Sequence, residues 1–169
     1  MEKKQKKQLA WQVPFLLLLI VGTILIISHQ RSMPYQHDEG FIFGTVYHVT
    51  YQSDRDLHPG IVAEMQRVDS ALSPFNEQSI ISHVNRNEPT RLNDMFVRVF
   101  TLAEEVSRET DGAFDITVAP MVNAWGFGFK QGRAPSPQAI DSLRAIVGYR
   151  KVRLSGGRVV KADPRIMLD

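Results

Sequence analysis

The chain has 169 residues, 43% of them hydrophobic, and no cysteine. That is enough for one packed domain, and it excludes disulfides, thiolate metal sites and a thiol nucleophile. The net charge of +2 belongs to the tail: without Glu2, Lys3, Lys4, Lys6 and Lys7 the remainder holds 16 basic and 17 acidic residues, a net −1. A body of that charge lacks the basic excess that condenses on nucleic acid, so no nucleic-acid partner is expected.

The basic tail leads into an apolar run over residues 13–27, softened by Gly22 and Thr23, with Pro14 near its start, where it harms a helix least. Extended through residues 9–11 and Ser28, the run approaches the ~20 residues that cross a bilayer as a helix. Trp11 sits where an interfacial aromatic belongs. Lysines before the run and none close behind it predict a cytoplasmic N-terminus and an exported body. The sequence that follows, "SHQRSMPYQ", offers no pair of small residues for signal cleavage. An uncleaved transmembrane anchor over 1–30 is therefore expected, with a cleaved signal peptide or a buried apolar helix as alternatives. Residues 31–42 are polar and aperiodic and read as a linker to a domain over 43–169.

Within that domain "GTVYHVTY" (44–51) alternates, with Tyr47, Val49 and Tyr51 on one face, and predicts a strand. "PGIVAEMQRVDSALS" places Ile61, Met65, Val68 and Leu72 on one helical stripe. "SPFNEQS" breaks that helix, and 79–87 predicts a short second one. "NDMFVRVFTLAEEVSRETDG" predicts a long helix with Met95, Val99, Leu102 and Val106 inward, a cap at Asn93 or Asp94, and Gly112 just past its end. In "PSPQAIDSLRAIVG" Ser136 caps, Pro137 opens the first turn, Ile140, Leu143 and Val147 point inward, and Gly148 follows. "KVRLSGGRVVKA" predicts a hairpin turning at Gly156 and Gly157. "RIMLD" reads as a strand beginning.

The run "TDGAFDITVAPMVNAWGFGF" (110–129) fits no single period. It is similar to the T-x-G-x-F/M-D-x-T-x-x-P-L-x-x-x-W-G-F segment of the FAD:protein FMN transferases, the ApbE family. "GTVYHVTY" resembles that family's early G-T-x-Y strand. "VDSALSPFNEQSIISHVN" resembles its I-D-x-x-L-S-x-Y/F-x-x-x-S-x-x-x-x-x-N segment, and "IMLD" resembles the opening of its L-D-L/F-S block. The blocks stand in the family's order from about Phe43 onward.

The resemblance implies a mixed α/β (α+β) fold, of which the chain carries the N-terminal half of the ApbE-like domain behind one transmembrane helix. It implies an enzyme that cleaves FAD, attaches FMN to a threonine hydroxyl of a partner flavoprotein and releases AMP. It implies magnesium as cofactor, a flavoprotein subunit of a membrane redox complex as acceptor, and a single-pass location in the bacterial inner membrane with the body periplasmic. Carried over residue by residue, it implies FAD contacts at Phe43, Phe75, Ala113, Phe114, Asp115 and Asp169. Phe43 stands where many members have methionine, and Phe75 where the family often has a tyrosine whose hydroxyl is lost here.

The family's K/E-G-Y segment and its late D-x-x-[ST] magnesium motif have no counterpart before Asp169. A truncated chain with little transferase activity is therefore expected, and a membrane-anchored, non-enzymatic flavin-binding or interaction module is the alternative. The bland readings of the same residues are a core role for Trp125, Phe127 and Phe129, a turn role for Asp111, an exposed loop carboxylate at Asp115, surface positions for His48, His58 and His83, and a cap or loop bridge for Asn85.

Overall fold

A computed structural model describes the backbone of residues 2–29, 33–127 and 134–169, and the side chains of 13–27, 33–127 and 134–169. The elements in chain order are α1 (Glu2–His29), β1 (Tyr35–Ile42), β2 (Thr45–Gln52), α2 (His58–Leu72), α3 (Ile80–Asn85), α4 (Asp94–Glu109), α5 (Ala119–Ala124), α6 (Pro137–Arg144), a 3-10 turn (Tyr149–Lys151), β3 (Val152–Ser155) and β4 (Arg158–Lys161). Among the described residues the strands form two separate two-stranded sheets, β1–β2 and β3–β4, in a mixed α/β chain. The chain divides into two compact units, Met1–Asp38 with Val49–Asp56, and Glu39–His48 with Leu57–Asp169.

The first unit holds α1 and the outer half of the β1–β2 hairpin. Leu18, Ile26 and their apolar neighbours on α1 are more than half exposed, and the Thr23 hydroxyl donates to Leu19 O at 2.8 Å. Among the described residues no helix is long and apolar enough to cross a membrane. The expected span counted residues 9–11 and Ser28, whose side chains lie outside the described residues. The stretch read as a linker is a strand: β1 pairs with β2, and Gln36 Nε2 closes the open end by donating to Ser53 O and Arg55 O, both at 3.0 Å. Its sequence hid it because the half-buried face of the strand carries Gln36, Asp38 and Gly40 rather than an apolar set, Ile42 excepted.

In the second unit the hairpin turns at Phe43 and Gly44, with φ of 55° and 75°. Two consecutive positive φ values match the right-handed twist of a tight hairpin. Glycine adopts them freely, whereas a phenylalanine does so under strain. The core gathers around α4, whose inward stripe is Phe96, Phe100, Ala103 and Ser107. That is one residue round from the expected stripe: Val99 and Leu102 are exposed, and Met95 and Val106 half-buried. Two phenylalanine rings bury more apolar area than the aliphatic set beside them, and they lie 6.2 Å apart with nearly parallel planes. Asn93 caps the helix by accepting from Phe96 N at 2.8 Å, and Gly112 (φ 83°) closes it with its N–H on Ser107 O at 2.8 Å.

Ser136 caps α6 as expected, accepting from Ala139 N at 3.2 Å. The helix stops at Arg144, so Ile146 rather than Val147 reaches the core. β3 and β4 pair from Val152↔Lys161 to Ser155↔Arg158, and Gly156 and Gly157 both take positive φ at the turn. The Lys161 ammonium donates to Val84 O at 2.8 Å and Ile166 O at 2.9 Å, tying α3 to residues beyond β4. Burial holds its pKa below the ordinary lysine value. Segment 166–169 is not a strand; its backbone finds other partners, described below. A small apolar cavity of about 100 Å³, walled by Leu72, Phe96, Phe100, Ile116 and Leu168, opens beside the core.

Candidate functional site

A larger cavity of about 270 Å³ lies where the loop after α2, the end of α3, helix α5 and segment 167–169 converge. The α2–α3 loop presents Phe75. Ser79, fully buried, donates its hydroxyl to Ser73 O at 2.6 Å and accepts from Ser82 N at 3.2 Å as the cap of α3. Asn76 Nδ2 donates to Asp69 Oδ2 at 2.6 Å. This gives the L-S-x-F-x-x-x-S spacing a physical reason: the two serines pinch the loop so that Phe75 sits at its tip, 51% exposed. The turn at 43–44 comes up against the same ring, since a Cβ on Gly44 would meet Phe75 Cγ at 3.0 Å. Glycine is required there both for φ and for space.

The opposite wall comes from α5. Gly126, at φ 83°, ends the helix, and Phe127 N–H returns to Val122 O at 3.2 Å. That return places Phe127 on the cavity wall at 81% exposure, while Trp125 is 47% exposed. Neither is core. Phe129 lies outside the described residues.

Asp169 completes the mouth of the cavity. Its N–H donates to Ile116 O at 2.9 Å. Its neighbour Leu168 exchanges two hydrogen bonds with the Asn85 side chain, Nδ2 to Leu168 O at 2.9 Å and Leu168 N to Oδ1 at 2.7 Å. The Asp169 carboxylate accepts no hydrogen bond from any described residue.

Of the six residues singled out in the sequence, then, Phe75 and Asp169 line one cavity and Phe43 stands in the turn beside Phe75. Ala113, Phe114 and Asp115 are not among its lining residues. Ala113 and Phe114 are exposed on the turn after α4, where Ala113 N donates to Thr110 O at 3.1 Å and Phe114 N to the Thr110 hydroxyl at 3.2 Å. Asp115 is half-buried and accepts three hydrogen bonds: Oδ1 from Thr117 N at 2.8 Å and from the Thr117 hydroxyl at 2.6 Å, Oδ2 from Tyr149 N at 2.7 Å. Thr117 Oγ1 in turn accepts from Gly148 N at 2.7 Å. An aspartate bonding its own backbone two residues on is a turn device, and here it also fastens the 3-10 turn.

Two charged side chains share the larger cavity with Asp169: Glu77 and Arg86. Arg86 donates to both carboxylate oxygens of Glu88, at 2.8 and 2.9 Å, and to Glu77 O at 2.9 Å. Glu88 also meets His83 Nδ1 at 2.6 Å. Hydrogen bonds from Arg86 first and His83 second hold the Glu88 carboxyl at about 2. Sequence reasoning passed over Ser79, Thr117 and Arg86; for the first two the signal was a hydroxyl spaced to cap a turn. Of the histidines, His48 is exposed beside Glu39, whereas His58 is half-buried on the Tyr47 hydroxyl at 2.9 Å. Asp111 is a turn residue as read, at φ 49° ahead of Gly112. Among the described residues no three His, Cys, Asp or Glu side chains come together as metal ligands.

A profile of the ApbE family matches residues 43–169. The chain belongs to the ApbE family. An FAD:protein FMN transferase of Haemophilus influenzae is 31% identical over 147 residues, covering 77% of this chain and 42% of the relative. Among solved structures, the flavinyl transferase ApbE of Pseudomonas stutzeri in its apo form superposes with a TM-score of 0.67 at 29% identity, over 82% of this chain and 50% of that one. The flavin transferase ApbE of Vibrio cholerae gives 0.71 at 27%, over 80% and 48%. The chain thus spans about half the length of the relatives it matches.

Proposed function

We propose that this chain serves FAD:protein FMN transfer, with the cavity between Phe75 and Phe127 receiving the flavin of FAD. One observation carries the reading. In a chain of the ApbE family, two aromatic side chains stand 51% and 81% exposed on the walls of one cavity, beside a carboxylate with no partner among the described residues. An isoalloxazine is flat and apolar on both faces with a polar edge, and such walls suit it.

The proposed reaction breaks the pyrophosphate of FAD, joins the FMN phosphorus to a threonine oxygen of a partner flavoprotein and releases AMP. In it, the residues of this chain bind and orient the flavin: Phe75 and Phe127 by ring contact, Asp169 at the polar edge, with the turn at Gly44 packed against the Phe75 ring. The magnesium implied by the family resemblance finds no ligand set among the described side chains, so no step is assigned through it. The acceptor is a flavoprotein subunit of a membrane redox complex. The exposed apolar side chains of α1 support an anchor in the bacterial inner membrane, with the remainder periplasmic.

Titration of FAD into the full chain in detergent micelles tests the reading. Saturable quenching of flavin fluorescence at micromolar FAD, weakened by Phe75→Ala, is expected. A folded chain that leaves flavin fluorescence unchanged overturns it. The anchor is tested by alkaline extraction of membranes from expressing cells: the chain should stay in the pellet, and release into the wash removes the proposed location.

A further inference from the structure

Asn85 is the last residue of α3 and lines the larger cavity, yet its amide is turned to the protein. A carboxamide carries the same donor and acceptor as a peptide group. Asn85 uses both on one residue, giving Nδ2–H to Leu168 O at 2.9 Å and taking Leu168 N–H on Oδ1 at 2.7 Å. That is the double exchange a neighbouring strand residue makes in an antiparallel ladder. Segment 166–169 has no such strand beside it among the described residues, and the side chain stands in for one. On the next residue, Asp169 N donates to Ile116 O at 2.9 Å. Leu168 is 3% exposed, so neither of its peptide groups has water as a ready substitute. The backbone that delivers Asp169 is therefore fixed from two sides, by α3 through Asn85 and by Ile116, while the carboxylate itself is left without a partner among the described residues.

We propose that Asn85 is a positioning residue of this site: it sets the direction from which the Asp169 carboxylate enters the cavity, and acts on the ligand only through Leu168 and Asp169. The proposal rests on the flavin reading for the identity of the ligand, and on the hydrogen bonds alone for the hold on Asp169. Lys161 makes a useful contrast. It ties the same end of α3 to Ile166, at 2.9 Å, but bonds neither Leu168 nor Asp169, so it is a framework tie.

The test is a double-mutant cycle on FAD affinity, read by flavin fluorescence with the full chain in micelles. Asn85→Ala should weaken FAD about tenfold, as expected for loss of well-formed hydrogen bonds behind a charged contact. Asp169→Ala should weaken it by at least as much. The double variant should bind no more weakly than Asp169→Ala alone, because a positioning residue has nothing left to position. Losses that multiply, or an Asn85→Ala chain that binds FAD normally, overturn the proposal. If Asn85→Ala does not fold, Asn85→Gln serves the same cycle, since it keeps an uncharged carboxamide but moves it one methylene away from the Leu168 peptide groups. Failure of the flavin reading looks different, as the unaltered chain then binds no FAD. In that case exchange of the Asp169 amide hydrogen decides: Asn85 does not touch that amide, and its exchange should still quicken in either variant. An unchanged rate overturns the positioning role whatever the ligand.

Discussion

The turn at 113–118 and the segment at 164–169 each carry one acidic side chain, and the protein uses the two in opposite ways. Asp115 is half-buried with three donors on its two oxygens. Asp169 is exposed at a cavity mouth with no donor among the described residues, although the backbone behind it is tightly held. A carboxylate whose oxygens are filled by neighbouring N–H and O–H groups is framework, and moving it costs the protein those bonds. A carboxylate on a fixed backbone that no described residue pairs is open to a donor from elsewhere. Under the proposed function, Asp169 rather than Asp115 is the acidic residue to test for contact with the ligand.

The sharpest way to break the contrast is Asp115→Ala. Three donors lose their acceptor at once, so a loss of about 3 kcal/mol or more in unfolding free energy is expected, measured by urea titration. Undiminished stability with lost FAD binding would move Asp115 into the ligand-facing class. Asp169→Ala should do the reverse: stability within about 0.5 kcal/mol, as for other exposed positions, and the weaker FAD binding already described. A comparable effect is expected of Phe127→Ala. Its ring is 81% exposed, so folding should barely notice, while FAD affinity falls roughly three- to tenfold if the ring stacks on the flavin. Equal affinity would leave Phe127 as mere surface.

The smallest effect concerns a third carboxylate near the same wall. Glu88 sits at about 2 against an ordinary 4.5, held there by Arg86 and then His83. A lowered folded-state value means that its contribution to stability is complete above 4.5 and fades as pH falls from there toward 2. Glu88→Gln should flatten that acid limb in thermal melts between those values. The group is exposed, so added salt should shrink the difference; a salt-independent effect argues for a role beyond charge pairing.

Much of this was legible from the residues. The helices over 59–73, 93–112 and 135–148 follow from apolar spacing and caps, and the hairpin follows from its paired glycines. The α4 stripe came out one residue away because a spacing rule weighs Val99 and Phe100 alike, whereas the core selects the larger ring. β1 was missed because its half-buried face carries Gln36, Asp38 and Gly40, so the alternation of its burial leaves no apolar period in the sequence. At the site, the motif spacing that resembled the family singled out Phe75 and Asp169, which the cavity brings together. The role of Asp115 was not legible in its immediate neighbours alone. Its D-x-T turn is local, but its third donor, Tyr149 N, lies 34 residues on, and a partner at that distance leaves no periodic trace.

The ties of α3 also set a timetable. Asn85 finds Leu168 across 83 positions, and Val84 O meets Lys161 across 77. At ribosomal rates of about 5–20 residues per second, those partners emerge roughly 4–17 s after the helix they fasten. For that interval the cavity lacks the segment that completes its mouth, and the core around Ile81 and Val84 lacks Ile166 and Leu168. Contacts of such long range are slow to form, so a newborn chain passes through a window in which chaperone capture and misassembly compete with closure. A pause in translation just before Lys161 would lengthen that window, and one after Asp169 has left the ribosome would not.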